Sequence, residues 1–236
     1  MSSINDNVAR VRDRMSQAAA RVRRDPATVV LMAVSKVVEP ARIRQVYEAG
    51  IHVFGENRVQ EFADKASVLK DLTQAEWHLI GHLQTNKAKK AVEIFHAVDS
   101  VDSLRLAQKI DQAAKQLGKT VPVLIEVNVG GEESKSGVPA DSLELEELLQ
   151  GAQQLSSIQV RGLMTIPPFT EDPQGARPHF RMLRELRDEI GARKLPGISM
   201  DVLSMGMSHD FEVAIEEGST CVRVGTAIFG ERPKRQ

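Results

Sequence analysis

The sequence predicts a single (β/α)₈ TIM barrel preceded by one extra helix. Eight short apolar runs recur along the chain, amphipathic helical patterns separate them, and 236 residues is the size of one such barrel. Strands that alternate with helices run parallel and are joined by right-handed crossovers. An open doubly wound sheet is the alternative, and it usually needs fewer strands.

Residues 3–24 carry Ile4, Val8, Val11, Met15, Ala18, Ala19 and Val22, which puts one apolar stripe on a helix. Asp25-Pro26 ends it. Such a stripe packs onto its own domain or forms a short coiled coil; packing is the expectation. The strand runs follow at 28–35, 52–55, 76–81, 94–98, 121–129, 158–164, 200–205 and 220–225. Ile43, Val46 and Tyr47 mark the first crossover helix, and Val59, Phe62, Ala66 and Leu69 the second. A short segment at 86–92 is the third, and Leu104, Ala107, Ile110, Ala114 and Leu117 make the fourth. Leu145, Leu148 and Leu149 mark the fifth, Phe180, Leu183, Leu186 and Ile190 the sixth, and 209–217 is the seventh. Gly50, Gly118, Gly191 and Gly218 stand where helices are expected to stop. No linker or composition shift interrupts the pattern. Residues 1–236 therefore read as one domain, with the helix at about 3–24 and the barrel at about 28–230.

Composition narrows the function. Lys plus Arg number 31 against 32 Asp plus Glu, a net charge of −1, which gives no electrostatic case for nucleic acid or an anionic membrane. The one cysteine, Cys221, allows no internal disulfide and suits a reducing compartment. The N-terminus is charged throughout, unlike a signal peptide, and no run of about 18 apolar residues exists. A cytoplasmic protein is expected, and a monomer by default, the stripe on the first helix being the only hint of association.

In a barrel of this kind chemistry sits at the C-terminal ends of the strands. Ser35 and Lys36 follow the first run; Gly55, Glu56, Asn57 and Arg58 the second; Gly81, His82, Gln84, Asn86 and Lys87 the third; Asp99 and Ser100 the fourth. The last two runs end in "LSMGMSHD" and "VRVGTA", each a glycine turn opening a helix, with Ser208 or His209 as the cap of the first. Helix N-termini present unpaired N–H groups and bind phosphate, and the loops after strands 7 and 8 are the recurring phosphate site of these barrels. Gly206 and Gly225 permit close approach; Ser208 and Thr226 add hydroxyls.

A closed barrel brings strand 8 beside strand 1, so Lys36 faces that phosphate cradle. An amine on an apolar floor loses its proton more readily and becomes a nucleophile. A lysine opposite a phosphate seat suits a Schiff base with a phosphorylated aldehyde or ketone, pyridoxal 5′-phosphate (PLP) being the leading candidate. Arg223 lies two residues before Gly225 and so points inward with it. An arginine facing a pyridine nitrogen keeps that nitrogen unprotonated, which weakens the ring as an electron sink.

Seven segments carry a resemblance: "VSK" (34–36), "FGENRVQE" (54–61), "WHLIGHLQTNK" (77–87), "VLIEVNVGGEESKSG" (123–137), "RGLMTIPP" (161–168), "LSMGMSHDFEVAIEEGST" (203–220) and "VRVGTAIFG" (222–230). With these the sequence resembles the YggS/PROSC family of PLP homeostasis proteins over nearly its whole length. The resemblance implies a barrel like the N-terminal domain of alanine racemase, the type III fold of PLP proteins. It implies that Lys36 holds PLP as an internal aldimine and that Ser208, Gly225 and Thr226 bind its phosphate. It places Arg223 near the pyridine nitrogen, Asn57 near the ring, and Met207 in the phosphate turn through its backbone. Lys135 matches a loop lysine of the family, a secondary PLP-handling site. PLP-dependent apoenzymes are the implied recipients.

Racemization at PLP needs a base on each face of the ring. In alanine racemases a tyrosine of a second domain supplies the second base. This chain runs only about a dozen residues past the eighth run, so no second domain is expected. Tyr47, the only tyrosine, falls on a helix away from the rim, and His82 reads as a residue that orients its loop. No catalytic residue and no metal site is expected. Three readings stay open: PLP binding and supply without turnover, a racemase-like PLP enzyme, and a Schiff-base aldolase-like barrel.

Overall fold

The computed structural model describes residues 3–132 and 136–231. Helix α1 (Ile4–Arg21) starts at Ser3, whose hydroxyl accepts from the Asp6 amide while the Asp6 carboxylate accepts from the Ser3 amide. Its stripe, Ile4, Val8, Val11, Met15, Ala18 and Ala19, is buried against the barrel's outer helices. Packing therefore wins over a coiled coil. The helix stops at Arg21, and Val22, expected in the stripe, is exposed at its C-terminus.

The strands of the barrel are β1 (Val30–Val34), β2 (Val53–Glu56), β3 (Glu76–Leu79), β4 (Ala97–Val101), β5 (Val121–Asn128), β7 (Ile158–Met164), β8 (Ile198–Met207) and β9 (Cys221–Val224). All pairings are parallel; β4 pairs with β5 and β9 returns to β1, so among the described residues eight strands close into a barrel. A two-residue strand, β6 (Val138–Pro139), lies beside the end of β5 and is too short to leave a periodic signal. The crossover helices are α2 (Pro40–Glu48), α3 (Val59–Leu69), α4 (Ala88–Ile94), α5 (Leu104–Gln116), α6 (Leu143–Ala152), α7 (Arg177–Ala192) and α8 (Phe211–Glu216), with α9 (Thr226–Phe229) after β9.

Alternation along each strand divides two environments. On β5, Val121, Val123, Ile125 and Val127 face the helices and join the main hydrophobic core. Pro122 and Leu124 face the barrel interior, and Glu126 shares their side.

Three expectations need correction. The fourth strand is Ala97–Val101 rather than 94–98: Ile94 closes α4, and Asp99 and Ser100 lie inside the strand, because its inward face carries a buried acid where an apolar run is expected. Gly191 sits within α7, and the left-handed residue after that helix is Lys194, with φ of 50°. Neither Ser208 nor His209 caps α8, whose first turn follows Asp210.

One backbone feature lies next to the site. Val37 has φ of 56°, a conformation that a β-branched residue adopts at a cost of about 1–2 kcal/mol. No helix among the described residues is long and apolar enough to cross a membrane.

Candidate ligand site at the barrel mouth

The seam where β9 meets β1 sets the site. Met32 pairs with Arg223 and Ala33 with Val224, so the chain leaving β1 at Ser35-Lys36 emerges beside Gly225-Thr226. A cavity of about 270 Å³ opens there, at the C-terminal ends of the strands. Lys36, Asn57, Met207, Ser208, Arg223, Gly225 and Thr226 all line it. Val34, Ile80 and Ile166 supply the apolar part of its wall, and His209 lies at its edge.

Arg223 is buried at 3% exposure. Its guanidinium donates to the Ser204 carbonyl and hydroxyl, both at 2.8 Å, and to the Thr165 carbonyl at 2.7 Å. Among the described residues no carboxylate reaches ion-pair distance of it. Burial pulls its pKa down, opposed at longer range by Cys221, Asp99, Glu126 and Asp210. A guanidinium nevertheless keeps its proton. The result is a fixed cation held by neutral acceptors, with charge left over for a ligand.

The Ser208 hydroxyl oxygen accepts from the Gly225 amide at 3.2 Å and the Ala227 amide at 3.3 Å. Ser208 thus belongs to the turn after β9, not to the helix that follows β8. Both amides are thus engaged by the Ser208 oxygen, which fixes that side chain at the cavity with its hydroxyl proton available to donate to an anionic oxygen. A Cβ built on Gly225 would meet only ordinary contacts with Val34, 3.5 Å away. Gly206 is different. Its φ is 95° and a Cβ would come within 2.5 Å of the Ala214 Cβ, so this glycine serves the close approach of α8. The Met207 amide donates to Asp210 at 2.6 Å and its carbonyl accepts from the Asp210 amide, so its backbone is already committed and only its side chain is left for the cavity.

Asn57 owes its place to Gly81, where any Cβ would fall 2.3 Å from the Asn57 carbonyl oxygen. His82 pairs with Asp102 at 3.1 Å and orients its loop, as expected. Lys135 lies outside the described residues. Among the described residues no group of three or more His, Cys, Asp or Glu could hold a metal.

Sequence reasoning missed several residues. Glu126, an acid inside the apolar run of β5, is 5% exposed with one oxygen unpartnered. Burial, and then the nearby Asp102, push its pKa up to about 7 against the pull of Arg223 and His82. Its signal was a lone charge among apolar neighbours. Ile166, His209 and Lys65 carried no comparable signal, because only the folded chain brings the first two to the mouth and Lys65 to the Ser35 carbonyl.

These residues fit a small aromatic ring bearing an aldehyde and a phosphate: an amine, an anion cradle, a buried cation and apolar walls share one cavity. The family model for the alanine racemase N-terminal domain matches residues 2–233. The pyridoxal phosphate homeostasis protein of Aquifex aeolicus is 48% identical over 227 residues, covering 96% of this chain and 97% of that protein. The chain belongs to this family. PipY of Synechococcus elongatus, solved with PLP bound, is 39% identical with a TM-score of 0.81, covering 92% of this chain and 100% of that one. Alanine racemase of Clostridium difficile shares the fold at a TM-score of 0.73 and 15% identity, and this chain spans 61% of it. The homeostasis-protein family thus has the racemase barrel in a chain of about barrel length.

Proposed function

We propose that this chain holds PLP at the barrel mouth, with Lys36 as its covalent Schiff-base anchor, and stores and supplies the cofactor without turnover. The observation that carries the reading is convergence: all seven residues expected at the cofactor line one cavity. When bound, PLP supplies an aldehyde carbon that condenses with a neutral amine, releasing water, and a phosphate that anchors the ring. Lys36 offers the amine. Ser208 and the Gly225-Thr226 turn receive the phosphate. Arg223 opposes protonation of the pyridine nitrogen, and Asn57 borders the ring. His209, the one other titratable ring on the cavity wall among the described residues, has Nε2 engaged with the Thr170 carbonyl at 3.1 Å.

The relatives' name, homeostasis protein, agrees with this reading. It includes residues 1–236 as one PLP-binding domain, a cytoplasmic monomer, PLP-dependent apoenzymes as recipients, and Lys135 as a secondary PLP-handling site. The monomer is supported by α1, whose apolar stripe is spent on the barrel itself. Titration with PLP, followed by visible absorbance, tests the proposal. The parent protein gains the Schiff-base band; Lys36→Ala stays folded and does not. A band of unchanged intensity in Lys36→Ala overturns it.

A further inference from the structure

Lys36 is flanked by two peptide groups that are both held by one helix. On its N-terminal side, the Ser35 carbonyl accepts from the Lys65 ammonium at 3.1 Å. On its C-terminal side, the Val37 amide donates to the Glu61 carboxylate at 2.5 Å. Lys65 and Glu61 are one turn apart on α3 and pair with each other at 3.1 Å. Lys65 also donates to Glu56 at 2.7 Å, and the same Glu56 oxygen accepts from the Ser35 hydroxyl at 2.7 Å. Glu56 is fully buried and the Lys65 side chain 11% exposed.

Val37 shows that this contact does more than fasten a loop. Its φ of 56° is unfavourable for valine, and its side chain is 53% exposed, so apolar packing does not account for the conformation. A turn closed by the Val38 amide on the Ser35 carbonyl at 3.0 Å places Val37 there, and the bond of its own amide to Glu61 adds a restraint from α3. Burial works against the Glu61 charge, but the Val37 amide and Lys65 prevail and keep its carboxyl below the usual range.

We propose that Lys65 and Glu61 are positioning residues for Lys36: their ion pair grips the peptides on both sides of Lys36, holds Val37 in the left-handed region and so aims the amine into the mouth. The inference rests on the reading of Lys36 as the PLP anchor. Glu61 and Lys65 touch no residue of the phosphate turn among the contacts described, so their loss should leave cofactor anchoring by phosphate in place and disturb the covalent step.

The test mixes protein with PLP and follows growth of the Schiff-base band. Lys65→Met slows band formation roughly tenfold, the scale expected for a misplaced reacting group. Glycine tolerates φ near +60°, so adding Val37→Gly to Lys65→Met restores most of the rate. A role limited to neutralising buried Glu56 would not be rescued this way. Glu61→Met, which removes the acceptor of the Val37 amide and keeps the Lys65–Glu56 pair, gives a second reading if Lys65→Met does not fold; it slows the band and is likewise rescued by Val37→Gly. A parental rate in Lys65→Met or Glu61→Met, or a slowed rate without rescue, overturns the proposal. Absence of the band from the parent protein would instead sink the Lys36 reading, and this one with it.

Discussion

The two ends of the barrel interior are both polar, but they treat charge differently. At the floor a cavity of about 210 Å³ is lined by Glu76, His78, Asp99, Arg161 and Cys221, among others. There His78 Nδ1 lies 3.1 Å from both oxygens of the buried Asp99. Cation and anion answer each other. The Cys221 thiol, pushed up to about 12 chiefly by burial, is inert. At the mouth the buried cation Arg223 is held by carbonyls and a hydroxyl, and Lys36 shares its cavity. Buried charge alone therefore does not mark a site. Buried positive charge satisfied by neutral groups, beside a serine hydroxyl fixed by two amides, leaves a seat for an anion.

Removing one partner of the floor pair has the largest expected effect on stability. His78→Ala leaves Asp99 charged and alone, and urea unfolding should show a loss of about 3–5 kcal/mol. PLP affinity should change by about twofold at most, since the floor reaches Arg223 only through the longer-range pull of Asp99 and Cys221. A parallel fall in affinity would break the separation of the two ends.

The pH profile sharpens the contrast next. Glu126 near the mouth titrates at about 7 in the fold against 4.5 in the free residue, chiefly through burial. The native state then holds a proton that the unfolded chain has released, so this group lowers stability as pH rises from 4.5 to 7. The full effect is about 3 kcal/mol. Glu126→Gln should remove that slope in unfolding measured across this window. At the floor, burial disfavours the His78 cation, but Asp99 and then Glu76 outweigh it and raise the pKa to about 10. Its contribution is complete below 6.5 and lost as pH climbs to about 10, and Glu126→Gln should leave it untouched.

Arg223→Met should weaken PLP binding roughly tenfold, ~1.4 kcal/mol. It should also raise the pH at which the bound chromophore titrates, because a cation no longer repels the ring proton. The smallest effect belongs to Ser208→Ala. Loss of a hydroxyl donor costs about 1 kcal/mol, read as weaker binding of PLP with little change for pyridoxal, which lacks the phosphate. Equal losses for both ligands would move the phosphate away from this turn.

Most of the architecture was legible because parallel strands buried on both faces leave apolar runs, and their helices leave a 3.6-residue period. Where the period failed, a polar interior was the cause: Asp99 inside β4 broke the apolar run and shifted the expected strand by three residues. The mouth was legible through strand ends, since barrel closure places Lys36 beside Gly225 whatever the side chains do. The hydroxyl of Ser208 was assigned to the wrong turn, because a capping residue reads locally in sequence while its partners, Gly225 and Ala227, come from another strand. The grip of Lys65 on Ser35 was invisible for the same reason: it joins residues 30 apart.

The most direct test of the account reduces the PLP-loaded protein with borohydride and maps the added mass by peptide digestion. The account predicts one adduct per chain, on the peptide bearing Lys36. An adduct on Lys135 or any other lysine, with Lys36 unmodified, would contradict it.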